Sequence, residues 1–175
     1  MHGRIADHAE WQDASFAPDR RLAGGERFEL DAGATLPAIH TPGHASNHLC
    51  YRLDEERTLF TGDHVMQLST VVINPPDGDM AAYLASLRAL CDEALEWLAP
   101  GHGFLMAQPR AAFEKIIAHR LQREAKVGAA IRELGAADES ALLERVYDDV
   151  PPRMHPMALR SLRAHLIKLL GEGRA

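Results

Sequence analysis

The sequence predicts the α+β fold class, with a strand-rich unit followed by a helical one. Short strand-like segments occur up to about residue 98, whereas helical periodicity prevails after Pro109. Strands first and helices last indicate two packing units. The charge changes at the same place, since residues 1–106 hold 7 Lys and Arg against 16 Asp and Glu, and residues 107–175 hold 12 against 9. We therefore expect one domain at 1–106 and another at 107–175.

The composition is that of a globular chain. Of 175 residues, 46% are hydrophobic and 25% are charged, with a formal net charge of −6, which excludes disordered and collagen-like proteins. No apolar run approaches the roughly 18 residues of a membrane helix, and the first residues carry no secretory signal. Cys50 and Cys91 form no C-x-x-C pair. Such cysteines are typical of a reducing compartment, so we expect a cytoplasmic protein that makes no membrane contact.

Strand-like segments follow a loop-like stretch at 1–25. The first four are bounded by Gly, Pro or Asp, which are typical strand ends. The charged turn at 54–57 joins two of them and predicts a β-hairpin. Strands are predicted at 28–30, 35–40, 48–53, 58–61, 71–73 and 95–98.

Helical periodicity predicts four helices. Asp79 stands where an N-cap is expected, and apolar residues recur at helical spacing from Met80 to Cys91. Pro109 suits the first turn of a long helix. Two shorter helices are predicted at 140–149 and 156–170. The apolar stripe of the long helix is predicted to consist of Phe113, Ile117, Leu121, Ile131 and Leu134.

Three side chains that can bind a metal share one placement. His44, Asp63 and His102 each follow a strand-like segment, at a break that contains Gly. Strand-end loops bring together side chains from distant parts of a chain, and glycine allows the sharp exit from the strand. Two imidazoles and a carboxylate suit Zn²⁺ or a neighbouring divalent metal. Taken singly, a histidine after Pro-Gly is more often a plain turn residue, but three coordinated cases favour a metal site.

The sequence around these residues is specific. The segments at 40–44 (His-Thr-Pro-Gly-His), 59–64 (Leu-Phe-Thr-Gly-Asp-His) and 99–103 (Ala-Pro-Gly-His-Gly) resemble the third, fourth and fifth motifs of the metallo-β-lactamase fold superfamily. Within it, the chain is most similar to the branch that includes the beta-lactamase-like-protein-two endoribonucleases. The segment at 74–80, Ala-His-Arg at 118–120 and the helical C-terminal unit carry that similarity.

The resemblance implies a four-layered αββα sandwich that binds two zinc ions, with a bridging hydroxide that attacks the substrate. His44 matches a ligand of the first zinc, Asp63 the catalytic carboxylate that bridges both, and His102 a ligand of the second. The implied substrate is a phosphodiester in single-stranded RNA, or a small-molecule ester or thioester. His48 and His64 are expected to lie behind the ligands or to line the substrate cleft, and a structural role stays open for both.

One motif of the family is not found in the sequence. The first motif, His-x-His-x-Asp-His, precedes the other three, and the nearest candidate is Asp7-His8. Gly3 and Ile5 stand where this candidate would need histidines. We therefore expect the C-terminal half of the sandwich, an incomplete metal site with impaired activity, and a longer functional protein.

The helical unit resembles a winged helix. Arg160, Arg163 and Lys168 lie off the apolar stripe of the predicted helix at 156–170, which would be the recognition helix of a helix-turn-helix. A net charge of +3 over residues 107–175 is modest for a nucleic-acid binder. The alternative is a helical cap that packs on the catalytic unit or on a second subunit of a homo-oligomer. The alternative to an enzyme is a catalytically inactive module that binds nucleic acid or protein.

Overall fold

The computed structural model describes residues 17–67, 69–135 and 138–174. Six strands among them form one sheet, in which the strand order follows the chain. Neighbouring strands are antiparallel except β4 and β5, which are parallel because a helical crossover connects them. The strands are β1 (Arg27–Glu29), β2 (Thr35–His40), β3 (Leu49–Leu53), β4 (Thr58–Gly62), β5 (Trp97–Pro100) and β6 (Met106–Ala107).

Four α-helices in the described part of the chain complete the fold, which confirms the α+β class. Asp79 caps the first helix, because its carboxylate accepts a hydrogen bond from the N–H of Ala82 at 2.9 Å. No helix among the described residues combines the length and the apolar character that crossing a membrane requires. The helices are α1 (Met80–Leu90), α2 (Pro109–Leu134), α3 (Glu139–Val146) and α4 (His155–Gly171).

The predicted strands are confirmed with one clear exception. β3 and β4 pair antiparallel around the turn at 54–57, as the hairpin prediction requires. Residues 71–73 are not a strand, although Val71 and Ile73 are buried. Their backbone groups are bound by side chains instead of a neighbouring strand. The apolar run at 71–73 therefore predicts burial correctly, but it wrongly predicts pairing with a neighbouring strand.

The two faces of the sheet differ in exposure. Leu59 of β4 and Leu98 of β5 face the helices and are fully buried. Their neighbours Phe60 and Trp97, on the opposite face, are 44% and 42% exposed. β5 begins two residues later than predicted, because the backbone N–H of Leu95 still closes a turn. The helices thus cover one face of the sheet within the described residues.

Two hydrophobic cores meet along α2. The first joins the covered face of the sheet to α1 and to the first turns of α2, where Phe113 is fully buried. The second lies between the last turns of α2, α3 and α4, around Val127 and Leu162. Helix α2 is therefore shared by both units, and the domain boundary after residue 106 stays a prediction.

The middle of α2 buries charged side chains. Arg120, Arg123 and Glu124 are only 3%, 7% and 3% exposed, whereas Leu121 and Leu134 are each 39% exposed. The predicted apolar stripe is wrong at these two leucines, because the face of α2 between the two cores carries the charged residues. Polar contacts, rather than a continuous apolar seam, therefore connect the cores.

Glu124 anchors the end of α4 and the residues that follow it. Its carboxylate oxygens lie 2.8 Å from Nζ of Lys168 and 2.8 Å from Nη1 of Arg174. Burial raises the pKa of this carboxyl, but the hydrogen bonds from Lys168 and Arg174 outweigh that effect and hold the pKa below its usual value. Because removal of one partner leaves a buried charge uncompensated, this pairing is costly to break.

We expect His165 of α4 to make folding sensitive to acid. Its ring is fully buried with neither nitrogen hydrogen-bonded, and burial lowers its pKa to about 4. The unfolded chain takes up this proton near pH 6.5, above the folded value. The free energy of unfolding is therefore highest above that pH and falls as the pH drops towards 4, by about 1.4 kcal/mol per pH unit for one proton.

Urea unfolding over a pH series that crosses 6.5 measures this effect. His165→Gln should show a shallower decline on acidification than the wild type. His155→Gln, at the start of the same helix where the ring is partly exposed, is the control and should follow the wild type. Equal slopes for the wild type and His165→Gln would contradict the expectation.

Candidate metal centre

The three predicted site residues lie at one edge of the sheet. β2 and β4 both run antiparallel to β3, and β5 runs parallel to β4. The carboxyl ends of β2, β4 and β5 therefore share that edge. His44 follows β2, Asp63 follows β4 and His102 follows β5. The topology thus brings together three residues that are far apart in the sequence.

Asp63 lies between the two imidazoles. Its Oδ1 is 3.4 Å from Nε2 of His102, and its Oδ2 is 4.0 Å from Nε2 of His44. The side chains of Asp63, His102 and His44 are 45%, 66% and 31% exposed. Among the described residues, no group of three or more His, Cys, Asp or Glu side chains has the geometry to hold one metal ion. Each imidazole faces a different carboxylate oxygen.

The backbone holds His44 in a defined tautomer. Its Nδ1 is 3.0 Å from the carbonyl oxygen of Val72. Because a carbonyl only accepts, Nδ1 carries the proton, and Nε2 of the neutral ring keeps its lone pair. That lone pair faces Oδ2 of Asp63 across 4.0 Å, too far for a direct hydrogen bond. Two facing acceptors at this separation suit a cation between them, so the donor set fits a divalent metal.

Close backbone contacts hold the loops that carry these residues. Gly43 has a φ of +137°, and a Cβ there would lie 2.3 Å from Cα of Tyr83, so only glycine fits beside α1. The N–H of Gln67 donates to the carbonyl of His102 at 3.2 Å, and its Oε1 accepts from the N–H of Phe104 at 2.8 Å. The loop after β4 therefore holds the loop after β5 in place.

His48 and His64 continue a row of rings behind His44. The ring centroids of His44 and His48 are 6.3 Å apart, and those of His48 and His64 are 5.4 Å apart. Burial, and then the proximity of His44, lowers the pKa of His48. His64 is fully buried with neither ring nitrogen hydrogen-bonded, and burial lowers its pKa to about 3. Complete burial favours the structural role of His64 over a place in the substrate cleft.

Family comparison connects this geometry to known proteins. Residues 2–102 match the metallo-beta-lactamase superfamily. The chain belongs to that superfamily. Residues 139–175 match the beta-lactamase associated winged helix domain, in the region that holds α3 and α4. The resemblance that the motifs indicated is confirmed. His44, Asp63 and His102 all lie within the matched metallo-beta-lactamase region, or at its last residue.

One relative of this chain is a protein named atrochrysone carboxyl ACP thioesterase from Aspergillus chevalieri. The identity is 32% over 166 residues, which cover 89% of this chain and 52% of that protein. A beta-lactamase-like protein 2 homolog from Drosophila melanogaster is 31% identical over 155 residues, covering 87% of this chain and 51% of that protein.

A solved structure shows the same fold. The crystal structure of a metallo-beta-lactamase family protein from Thermus thermophilus matches with a TM-score of 0.75 and 27% sequence identity. The match covers 87% of this chain and 49% of that one. The present chain therefore spans about half the length of the relatives that it matches.

The structure adds neighbours of the candidate site that the sequence motifs do not indicate. Val72 lies in the segment that was predicted as a strand, yet its carbonyl orients His44. Tyr83, expected only as an apolar position of α1, donates its hydroxyl to the carbonyl of His64 at 2.9 Å, next to Asp63. Neither Val72 nor Tyr83 is a typical metal ligand, so their positions in the sequence do not predict these contacts.

We expect Asp63→Asn to weaken divalent-metal binding at the candidate site at least about 100-fold, because the amide keeps the size of the side chain but removes the negative charge between the imidazoles. Asp92→Asn, an aspartate beyond the end of α1 and outside the site, is the matched control. Competition with a chromogenic chelator measures the affinity. Wild-type affinity in Asp63→Asn would contradict the assignment of this carboxylate.

Proposed function

We propose that the chain carries one carboxylate and two imidazole ligands of a zinc-dependent hydrolase, and that its substrate is an ester or thioester. The observation that carries the proposal is Asp63, whose two oxygens face the Nε2 atoms of His44 and His102 at one edge of the sheet. Imidazole nitrogen and carboxylate oxygen are ligands that zinc prefers. Membership of the metallo-beta-lactamase superfamily supports the same interpretation.

His44, Asp63 and His102 would hold a divalent metal, which would supply Lewis acidity and lower the pKa of water, so that a nucleophile would exist near neutral pH. The residues of the chain prepare the site for it. His44 and His102 offer neutral nitrogens, which leave the positive charge of a metal uncompensated, and Asp63 places one negative charge between them. The carbonyl of Val72 keeps the proton of His44 on Nδ1, so that Nε2 is available as a ligand.

Three donors are fewer than two zinc ions require, since zinc usually has four ligands. We therefore propose that ligands other than His44, Asp63 and His102 complete the site. Asp7 and His8, the nearest sequence match to the first motif of the family, lie outside the described residues.

Two observations favour a thioester over an RNA phosphodiester. The relative that is 32% identical over 166 residues is named an acyl-carrier-protein thioesterase. In addition, two of the three basic side chains on the helix that would be the recognition helix are engaged elsewhere. Arg163 lies 2.7 Å from a carboxylate oxygen of Glu139, and Lys168 lies 2.8 Å from one of Glu124. Basic side chains that are already paired with carboxylates neutralise few phosphates and therefore release few counterions from the RNA backbone. They support RNA binding only weakly.

We expect the zinc-loaded protein, with the ligands that complete the site present, to hydrolyse an aromatic acyl thioester of N-acetylcysteamine and to leave single-stranded RNA intact. Asp63→Ala should lower thiol release by about 100-fold or more, because it removes the shared carboxylate. A thiol-reactive dye measures the first reaction, and electrophoresis of a labelled oligonucleotide measures the second. Asp92→Ala is the control and should retain wild-type activity.

The other outcomes separate the alternatives. RNA cleavage without thiol release would overturn the thioester assignment in favour of a phosphodiester. Binding of RNA that weakens with salt, without turnover of either substrate, would favour the inactive binding module. Thiol release that persists after zinc is removed would contradict metal dependence.

A further inference from the structure

We propose that Arg120 is a positioning residue for the metal centre, which holds the backbone segment 71–73 that orients His44. This inference rests on the proposed function, because it assigns a role towards the same site. It places that role in α2, outside the three strand-end loops that carry the predicted ligands.

Segment 71–73 is fixed from three sides by side chains. The carbonyl of Val71 accepts a hydrogen bond from Nη2 of Arg120. The carbonyl of the next residue, Val72, accepts from Nδ1 of His44 at 3.0 Å. The N–H of Ile73 lies 3.4 Å from Oγ of Ser161 on α4 and donates to it. Two helices thus hold the segment, and the segment holds the imidazole.

Arg120 is built into the junction between the two cores. Its side chain is 3% exposed, and its guanidinium lies 5.5 Å from the ring centroid of Tyr83. Among the described residues it takes part in no direct ion pair. The carbonyl of Val71 and the ring of Tyr83 are therefore the contacts that stabilise the charge.

Tyr83, the second contact of Arg120, connects it to the loop that carries Asp63. Tyr83, whose ring contacts the guanidinium, donates its hydroxyl to the carbonyl of His64 at 2.9 Å. His64 directly follows Asp63. One buried arginine therefore contacts the supports of both His44 and Asp63, although its own Nε has no hydrogen-bond partner among the described residues.

Arg123 provides a matched control three residues along the same helix. It is 7% exposed, donates to the carbonyl of Val146 at 2.5 Å, and lies 4.4 Å from the ring centroid of Tyr147. It also pairs with Asp149 at 2.7 Å. The carbonyl and ring contacts are of the same kind as those of Arg120, and Arg123 has an ion pair in addition. Every partner of Arg123 belongs to the helical unit, and none supports a predicted ligand.

The experiment compares Arg120→Met with Arg123→Met in the full chain, with zinc alone as the probe. Long-range ¹H–¹⁵N spectra of the metal-free protein at mildly alkaline pH report which nitrogen of His44 carries the proton. The wild type and Arg123→Met should show the Nδ1–H tautomer, whereas Arg120→Met should show a mixture. Zinc affinity should fall about 10- to 100-fold in Arg120→Met only, which is the usual effect of losing a residue that orients a ligand.

Stability is measured in parallel, because both substitutions remove a buried charge and its contacts. A wild-type tautomer and wild-type zinc affinity in Arg120→Met, together with a loss of stability like that of Arg123→Met, would overturn the proposal. Arg120→Lys keeps the charge and one donor, and it should restore part of the tautomer preference. If Arg120→Met does not fold, Arg120→Lys decides, since a positioning role predicts a partial tautomer mixture and a structural role predicts none.

Failure of the proposed function has a different signature. If the wild-type protein binds no zinc when the ligands that complete the site are present, the zinc-dependent hydrolase is contradicted. The His44 tautomer of the metal-free protein still tests the role of Arg120 in that case, because the spectra do not require a bound ion.

Discussion

The candidate site depends on the direction of three strands. β2, β4 and β5 all end at the same sheet edge because β5 is parallel to β4, and α1 makes that parallel pairing possible by crossing the sheet. An antiparallel β5 would place His102 at the opposite edge, far from Asp63. The fully buried Leu59 and Leu98, which are paired in register under the helices, hold the two strands in this arrangement. The chemistry of the edge therefore depends on apolar packing beneath it.

A second constraint is the charged layer in the middle of α2. Buried charges are expensive, and well-packed apolar side chains of similar size often give equal or higher stability. Arg120, Arg123 and Glu124 nevertheless fill this layer, and each has specific partners outside α2. A directional contact fixes a geometry that an apolar contact leaves adjustable. The charged layer therefore stabilises the fold less than an apolar layer of similar size could. In return, it fixes the position of the helical unit against the loops.

Local sequence patterns predict those parts of the molecule that local physics determines. The hairpin, the cap at Asp79, the helices and the three strand-end residues follow from turn chemistry, capping and periodicity. Segment 71–73 shows the limit, because its apolar, β-branched residues indicate a strand while its hydrogen bonds come from side chains 28, 49 and 88 positions away. Leu121 is exposed for a related reason, since the charged neighbours of α2 occupy the inner face. Contacts of such long range leave no periodic trace in the sequence.

Helix α2 couples the unfolding of the strand-rich unit to that of the helical unit. Its first turns belong to one core and its last turns to the other, so neither core can open locally without exposing apolar surface of the same continuous helix. Opening of α3 and α4 is therefore coupled to the order of the sheet edge. A ligand that binds the sheet edge only when its loops are ordered would shift the opening equilibrium of both units towards the folded state. Amide exchange would then also slow in the winged helix, at a distance from the ligand itself. The helix thus acts as an element of cooperativity between recognition at the loops and order in the C-terminal unit.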